Sequence, residues 1–470
     1  MLRDAKHSLR LMYLAFVLAR YDALNSFDMI SLPLIPRIIY HLVPSKKRTL
    51  RPGQRLSLAL QKLGPSFIKA GQAVSTRGDL IGEKLATDLA ELQDSLPPFP
   101  TRVAIREVEA QLDAPITTLF LQFDETAIAA ASVAQVHFAV TPEGKEVAVK
   151  VLRPHIEKDF ARDIELMRWI AEKLERHKPE LRRLKPMAIV DEFARTVSIE
   201  LDLRLEAAAA DELRENTKND ADFYVPAVDW QRTAKRVLVT ERIRGISAGD
   251  IEGLKASGID LTATMERAAK AFFNQVFRDG FFHADMHPGN LFVLPDGRLA
   301  PVDFGIMGRV DHANQLILAQ ILWRFLKGDY HEVARLHREA GYIPAHISID
   351  QFAQAIRAVG SPIVGKAMNE ISVGRLFGQL LTVARMFEME AQPHLFLLHK
   401  TMITAEGVGR NLNPNVNMWQ LSEPLIRAWA EEHLSPRARL KAHAKEVVEI
   451  LRDAPKILQK LKELLNKADA

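Results

Sequence analysis

The sequence predicts an α+β chain in which a small strand-rich part precedes a long helical one, with a further helical segment ahead of both. Three observations predict it. Residues 123–151 read as strand, loop, strand, hairpin, strand, ending in the apolar run Glu146-Val147-Ala148-Val149-Lys150-Val151. Residues 246–430 carry apolar residues at helical spacing. Within the second stretch, residues 281–305 (Phe-Phe-His-Ala-Asp-Met-His-Pro-Gly-Asn-Leu-Phe-Val-Leu-Pro-Asp-Gly-Arg-Leu-Ala-Pro-Val-Asp-Phe-Gly) frame one hairpin with two carboxylates and an amide.

That hairpin organises the chain. Asp285 and Asn290 stand five positions apart, and the apolar run Leu291 to Leu294 follows at once. Pro295-Asp296-Gly297 is a tight turn. Leu299 to Val302 returns as a strand and ends in Asp303-Phe304-Gly305. This is the layout of a phosphotransfer loop. One Asp, Asp285, meets the attacking hydroxyl or water, while Asn290 and Asp303 hold Mg2+ against phosphates. A hard cation takes oxygen ligands and shares them with phosphate, so two side chains suffice. Two weaker readings compete. One makes the carboxylates turn or cap residues. The other makes His283-x-Asp285-x-His287 a transition-metal site. His283 and His287 are instead expected to be buried and to brace the loop by hydrogen bonds.

Composition narrows the class. A chain of 470 residues has room for two or three domains with real cores. The net charge of +4 is mild and does not indicate nucleic-acid binding. With no cysteine, disulfides, Cys-ligated zinc, iron–sulfur clusters and thiol catalysis are excluded. No apolar run reaches the roughly 18 residues a transmembrane helix needs. Leu11–Ala19 is too short to span, and Arg20-Tyr21-Asp22 after it is no signal-peptide cleavage site.

Residues 1–45 read as helical, with Arg3, Lys6, Arg10 and Arg20 bordering the apolar run. They form either an interfacial helix or one docked on the protein's own core. The basic run Lys46-Lys47-Arg48 reads as a solvated loop or a contact for anionic lipid. Pro65 suits the first turn of a helix that projects Lys69 and Gln72 from one side. Leu85–Leu96 continues as amphipathic helix, and Pro97-Pro98-Phe99-Pro100 ends the segment.

Residues 101–120 read as a helix running into a short strand. The strand lysine Lys150 sits where a phosphate-binding lysine is ordinarily carried, and it needs an anionic partner there. The glycine-rich phosphate loop expected upstream is replaced by Ala129, Ala130 and Ala131. Alanine resists positive φ, so this loop is expected to be stiffer, with Ser132 offering a hydroxyl to phosphate or metal. Residues 155–185 read as an inserted helix ending in a basic turn. Residues 188–216 then read as one long helix carrying Glu200, Asp202 and Glu206, and spacing alone does not choose among them as the partner of Lys150.

Taken together, these residues resemble the UbiB/ADCK atypical kinases, in particular the bacterial UbiB-type members linked to ubiquinone biosynthesis. The likeness runs from about residue 20 to 425. It rests on Lys69-Ala70-Gly71-Gln72, on Ala-Ser-Val-Ala-Gln-Val-His, on Val-Ala-Val-Lys, on Glu200-Leu201-Asp202, on His-Ala-Asp-Met-His-Pro-Gly-Asn and on Asp-Phe-Gly. The resemblance implies a two-lobed protein-kinase-like fold with an N-terminal helical extension. Its parts are an extension over 1–100, an N-lobe over 101–245, a C-lobe over 246–430 and an amphipathic tail over 431–470.

By that resemblance Lys69 and Gln72 are regulatory residues facing Glu200 and Asp202, and Glu206 pairs with Lys150. Asp285 is the catalytic Asp, and Asn290 and Asp303 hold the metal. ATP lies on Ala127-Ile128-Ala129-Ala130-Ala131-Ser132-Val133-Ala134-Gln135, with adenine at Glu241 and Ile243 in the Thr240-Glu241-Arg242-Ile243 hinge. Glu406-Gly407-Val408 and Asn411-Leu412-Asn413-Pro414 also match the family, with no chemistry assigned to them.

The expected activity is that of a Mg2+-ATP-dependent atypical kinase or ATPase supporting ubiquinone biosynthesis. His-Ala-Asp replaces His-Arg-Asp, so no arginine awaits an activation-loop phosphate. Helical periodicity resumes within about ten residues of Gly305 without an Ala-Pro-Glu segment, so a small or lipidic acceptor is expected over a protein. The alternatives are a non-catalytic ATP-gated lipid-binding scaffold or chaperone, and a small-molecule kinase of the aminoglycoside-phosphotransferase type. The Lys-x-Gly-Gln segment and the alanines argue against the latter.

The expected partners are a membrane surface, a lipid or quinone precursor, ubiquinone-biosynthesis proteins and a second copy in a dimer, and no nucleic acid. UbiB-type chains usually continue into hydrophobic C-terminal helices, which do not occur up to Ala470: either those helices have been trimmed away, or the expected attachment to the cytoplasmic face of the inner membrane is peripheral. The last forty residues interleave Val447, Val448, Leu451, Leu458, Leu461 and Leu465 with Lys456, Lys460, Lys462 and Lys467, the pattern of a helix lying on a bilayer or on the C-lobe.

Overall fold

The computed structural model describes residues 2–23, 42–43, 49–75, 81–90, 96–177, 182, 185–362, 373–389, 398, 401–402, 404–405, 407, 409 and 424–431. The run Lys46-Lys47-Arg48, most of the predicted helical stretch 24–45, Glu406, Val408, the 411–414 segment and the tail after residue 431 lie outside the described residues. The chain divides into two compact units, Met1–Asp211 with Ala227–Arg242, and Glu212–Pro226 with Ile243–Ala470.

The first unit opens with four helices: α1 (Leu2–Arg20), α2 (Pro52–Leu63), α3 (Pro65–Ser75) and α4 (Glu83–Ala90). Pro52 and Pro65 open their helices where the missing N–H has no intrahelical partner to lose. Gly64 between them takes φ +107°, a left-handed conformation that favours glycine. Val17, Leu56, Ala59, Leu63, Phe67 and Leu89 form the core of this bundle. Asp88 occupies the space a side chain at Gly53 would need, so glycine lets α2 and α4 approach. Asp22 and Arg55 form a buried ion pair inside the bundle, and Arg10 reaches Asp163 at 3.0 Å.

The rest of the unit is α5 (Thr101–Leu112), α6 (Ile116–Leu119), β1 (Gln122–Phe123), β2 (Ala129–Ala130), β3 (Ala134–Val140), β4 (Glu146–Leu152), α7 (Ile156–His177), α8 (Pro186–Glu200), α9 (Leu203–Thr217, whose last residues belong to the second unit) and β5 (Val237–Glu241). The antiparallel sheet runs β1-β3-β4-β5, with β2 paired to β3. Strand alternation sorts β4 cleanly. Val147, Val149 and Val151 bury against Ala104 and Val108 of α5. Leu152, with Ala134 and Leu238, buries among Ile156, Phe160, Val197 and Leu203 of the later helices.

Two sequence expectations need correction. The single helix expected over 188–216 is two, α8 and α9, broken at Leu201-Asp202. The cause is tertiary. The Leu203 N–H donates to the Lys235 carbonyl at 2.9 Å instead of to its own helix, and the Asp202 carboxylate accepts from the Arg204 N–H at 3.2 Å, as a capping side chain does. Residues 212–226, expected within the small lobe, group with the second unit. There the Leu299 N–H donates to Asp222 O (3.0 Å) and the Tyr224 N–H to Leu299 O (2.8 Å), so Phe223 makes a single parallel bridge beside the hairpin.

The second unit carries β6 (Ile246–Ser247), α10 (Ile251–Ala256), α11 (Leu261–Phe273), a π-helical turn Asn274–Asp279, β7 (Phe281–His283), β8 (Leu291–Val293), β9 (Leu299–Pro301), β10 (Met307–Arg309), α12 (His312–Leu326), α13 (Tyr330–Glu339), α14 (Ile349–Gly360) and α15 (Val373–Met386). Asp260, Asp311, Asp329 and Ser348 cap α11 to α14 through their side-chain oxygens. β6, β8 and β9 form one small sheet, and β7 pairs with β10. Gly308 lies opposite Phe282 in that ladder, and the phenyl ring fills the place of any side chain at 308. α12 begins seven residues after Gly305, as the resumed periodicity predicts. The Trp429 indole N–H donates to the Phe277 carbonyl at 2.8 Å, tying the 424–431 helix to the π turn.

Removing one member of a buried ion pair strands the other's charge. Arg55→Ala is therefore expected to cost about 3–5 kcal/mol of stability in the α1–α4 bundle. Hydrogen exchange across α1 and α2 under mild denaturant reads it, and unchanged protection there would count against the pair.

Candidate functional site

In the first unit Lys150 stands mid-strand between Val136 of β3 and Leu238 of β5. It is on the face opposite the three buried valines, so its ammonium points toward α9. Glu206, in the first turn of α9, meets it at 2.7 Å, with the lysine side chain 18% exposed and the carboxylate 8%. A carboxylate in a first turn gains from the helix N-terminus, so α9 helps to hold this anion.

The three acids left open by the sequence are sorted by the helix break. Glu200, last in α8, takes an ion pair with Lys69 of α3. Asp202 is held by Arg204 through a forked pair at 2.9 and 2.6 Å, which keeps its carboxyl below the usual carboxylate range. Glu206 takes Lys150. Gln72 follows Lys69 on the same helix, its carbonyl accepting from the Ser75 hydroxyl at 2.7 Å.

The alanine-rich stretch is a hairpin. Ala129 and Ala130 pair with Val136 and Gln135, and the Ala131 N–H closes the turn on the Ala134 carbonyl at 2.8 Å. None of the three alanines takes positive φ, the conformation that alanine resists. Ala127 and Ile128 lead in, with the Ile128 N–H on Val136 O at 2.9 Å, and Ser132 and Val133 are buried in the turn. At the other sheet edge, the Glu241 N–H donates to Ala227 O (2.8 Å) and the Arg242 N–H to Glu146 O (3.1 Å). The first unit ends at Arg242, immediately before Ile243.

In the second unit the 281–305 loop is held by its histidine. The His283 ring is buried, and its Nδ1 accepts from the Asp285 N–H at 3.2 Å. That leaves the proton on Nε2, which donates to the Asp303 carbonyl. Burial pushes this imidazole below its usual range, in keeping with a neutral ring. Both nitrogens are thus committed to backbone, and His283 is no metal ligand. Among the described residues no three His, Asp or Glu side chains gather as a metal cluster. His287 differs from expectation. It is exposed, and its Nδ1 caps the short Pro288–Asn290 turn by accepting from the Gly289 N–H at 3.2 Å.

Asn290 Nδ2 donates to the Asp285 carboxylate at 3.2 Å, which turns Oδ1 the other way. The Val302 N–H donates to Asn290 O at 3.0 Å, so the hairpin seats Asn290 beside the residue preceding Asp303. Asp303 Oδ1 accepts from the Gly305 N–H at 3.0 Å, and Phe304 is buried edge-on to His283. An amide oxygen and a carboxylate brought together by a hairpin are donors that fit Mg2+. When bound there the ion would neutralise phosphate charge. Asp285, fixed by its own N–H and by Asn290, can accept a proton from a hydroxyl.

Sequence reasoning missed Gln275. Its Oε1 accepts from the His283 N–H at 3.0 Å from within the π turn, a distortion that recurs beside functional loops. The polar pair Asn274-Gln275 within the otherwise apolar stretch Phe272 to Phe277 was the available signal.

A protein-kinase-like class follows from the small sheet with its lysine–glutamate pair and from the Asp/Asn/Asp hairpin in a helical unit. Comparison with known proteins agrees. An ABC1 atypical kinase-like domain matches residues 91–337, and a UbiB helical domain matches residues 356–417. A probable protein kinase UbiB from Marinobacter nauticus is 41% identical, covering 96% of this chain and 84% of that protein. One of the same description from Aliivibrio salmonicida is 44% identical over 83% of this chain and 73% of its own. A solved Rv3197–erythromycin complex from Mycobacterium tuberculosis matches with TM-score 0.58 at 26% identity, covering 79% of this chain and 95% of that one. The chain belongs to the UbiB family of ABC1 atypical kinases.

Three imidazoles, the buried His137 and His283 and the partly buried His337, are held below the ordinary 6.5 by desolvation. Unfolding frees them to take protons near pH 6.5, so the unfolded state binds more protons below that pH. Stability is then expected to be level above about pH 6.5 and to fall as pH drops below it. Depressed carboxylates such as Asp202 act only at lower pH. Guanidinium midpoints at pH 7.5 and 5.5 test this, and a midpoint that does not fall contradicts the neutral assignment.

Proposed function

We propose that this chain is a Mg2+-ATP-dependent atypical kinase or ATPase that supports ubiquinone biosynthesis. The observation carrying the reading is the near-buried Lys150–Glu206 pair at 2.7 Å, because an ammonium fixed on a strand by a helix carboxylate is a prepared phosphate ligand. Asn290 and Asp303 would hold Mg2+, and Asp285 would receive the proton of the attacking hydroxyl or water. Adenine would lie against the Glu241–Ile243 backbone. The ubiquinone assignment follows the description of the relatives as UbiB.

The proposed setting is an anionic membrane surface, the cytoplasmic face of the inner membrane. Leu9, Met12, Tyr13 and Phe16 fall at i, i+3, i+4 and i+7 of α1, and all four are exposed. The helix carries Arg3, Lys6, Arg10 and Arg20 against the single acid Asp4. An apolar stripe on a basic helix suits the interface of a bilayer. No described helix is long and apolar enough to cross one. The same stripe favours a second reading, an ATP-gated lipid-binding scaffold for ubiquinone-biosynthesis proteins. It differs from the first in giving no phosphorylated product.

The test is ATP turnover with Mg2+. Asp303→Asn is expected to lower it roughly a hundredfold through lost metal binding, and undiminished turnover defeats the assignment. Leu9→Asp with Phe16→Asp is expected to weaken binding to phosphatidylglycerol vesicles by about tenfold or more. Equal binding removes α1 as the contact.

A further inference from the structure

Arg153 follows β4 directly, and its backbone is fixed on both sides. Its N–H donates to Val133 O at 2.8 Å, and its carbonyl accepts from Arg236 Nη2 at 2.8 Å. From that anchor the guanidinium serves two segments. Nε and Nη2 both donate to the Ala131 carbonyl, at 3.0 and 2.8 Å. Nη2 also reaches the Pro97 and Leu96 carbonyls, at 3.0 and 3.3 Å, and the group lies 5.7 Å from the Phe99 ring centroid. Ala131 is the turn of the alanine hairpin. Residues 96–100 are the linker by which the chain leaves the helical extension bearing Lys69.

The linker has a second fastening. The Phe99 N–H donates to Gln135 Oε1 at 2.8 Å, and Gln135 Nε2 donates back to Phe99 O at 3.2 Å. Gln135 is held in turn by His137 Nε2 at 2.8 Å, and His137 Nδ1–H donates to Asp124 O at 2.8 Å. Gln135 and His137 are buried, so the linker is clamped to the root of the hairpin by a satisfied buried network.

A trans peptide is planar, and its N–H points opposite to its C=O. Fixing the Ala131 carbonyl on Arg153 therefore fixes the direction of the Ser132 amide. The Arg fork presents several donors in one rigid plane, whereas a lysine offers a single ammonium on a flexible stem. We infer that Arg153 is a positioning residue that sets the Ala131–Ser132 peptide for nucleotide phosphate and couples that hairpin to the linker of the Lys-x-Gly-Gln extension. The inference rests on the Mg2+-ATP reading. Because coupling between sites is reciprocal, phosphate at the hairpin tightens the extension, and loosening the linker weakens phosphate binding.

The experiment uses the full chain. ATP and adenosine affinities are measured by calorimetry with Mg2+, and hydrogen exchange is followed at residues 65–75 and 127–137 with and without ATP. In the wild type, ATP is expected to slow exchange at both segments. Arg153→Ala is expected to weaken ATP about tenfold, to leave adenosine unchanged and to abolish the ATP-dependent protection at 65–75, with Arg153→Lys restoring part of both. Should Arg153→Ala not fold, Arg153→Gln and Arg153→Lys carry the same comparison. Wild-type ATP affinity with intact protection at 65–75 in these variants overturns the coupling. A wild-type chain that binds no Mg2+-ATP overturns the nucleotide reading, and the coupling with it.

Discussion

The ion pair between Lys150 and Glu206 is the constraint the small unit is arranged to satisfy. An ammonium on the inner sheet of a packed unit cannot stay without an anion. Glu206 reaches it because the chain stops being helical at Leu201-Asp202 and starts again at Leu203, pinned to Lys235. The same break lets Glu200 turn to Lys69 and Asp202 to Arg204. Three acids within seven residues thus serve three cations, and only one of them is set on the strand lysine.

The second unit satisfies a different requirement, the exact bearing of two acidic groups at the ends of a hairpin. A neutral, buried His283 solves it by accepting from one and donating to the other, from Asp285 N–H to Asp303 carbonyl. Charging that ring would remove its acceptor. Burial, which keeps it neutral, therefore belongs to the same device as the hydrogen bonds. Gln275 supports it from the π turn.

Much of this was legible in the sequence where the signal was local. The β8–β9 hairpin, its Pro-Asp-Gly turn, the Val-Ala-Val-Lys strand and the helical character of the second unit follow from alternation, turn chemistry and helical periodicity. The alanine stretch, expected as a loop, pairs with β3 as a hairpin. The break at Leu201 was not legible, because it carries no Pro or Gly and its cause, the Lys235 carbonyl, lies more than thirty residues on. The grouping of residues 212–226 with Leu299 is hidden for the same reason. Arg153 and Gln275 act on backbone atoms far along the chain, which residue type alone does not reveal. His287 was expected to be buried by analogy with His283, yet one apolar neighbour fewer and a following proline leave it capping a turn in solvent.

The proposed nucleotide chemistry needs Lys150 as a phosphate ligand prepared by Glu206. The most direct measurement compares ATP and adenosine affinity, with Mg2+ present, in the wild type and in Lys150→Met. A phosphate-binding lysine predicts that ATP weakens strongly while adenosine binds as before. Equal ATP affinity in the two proteins would contradict it.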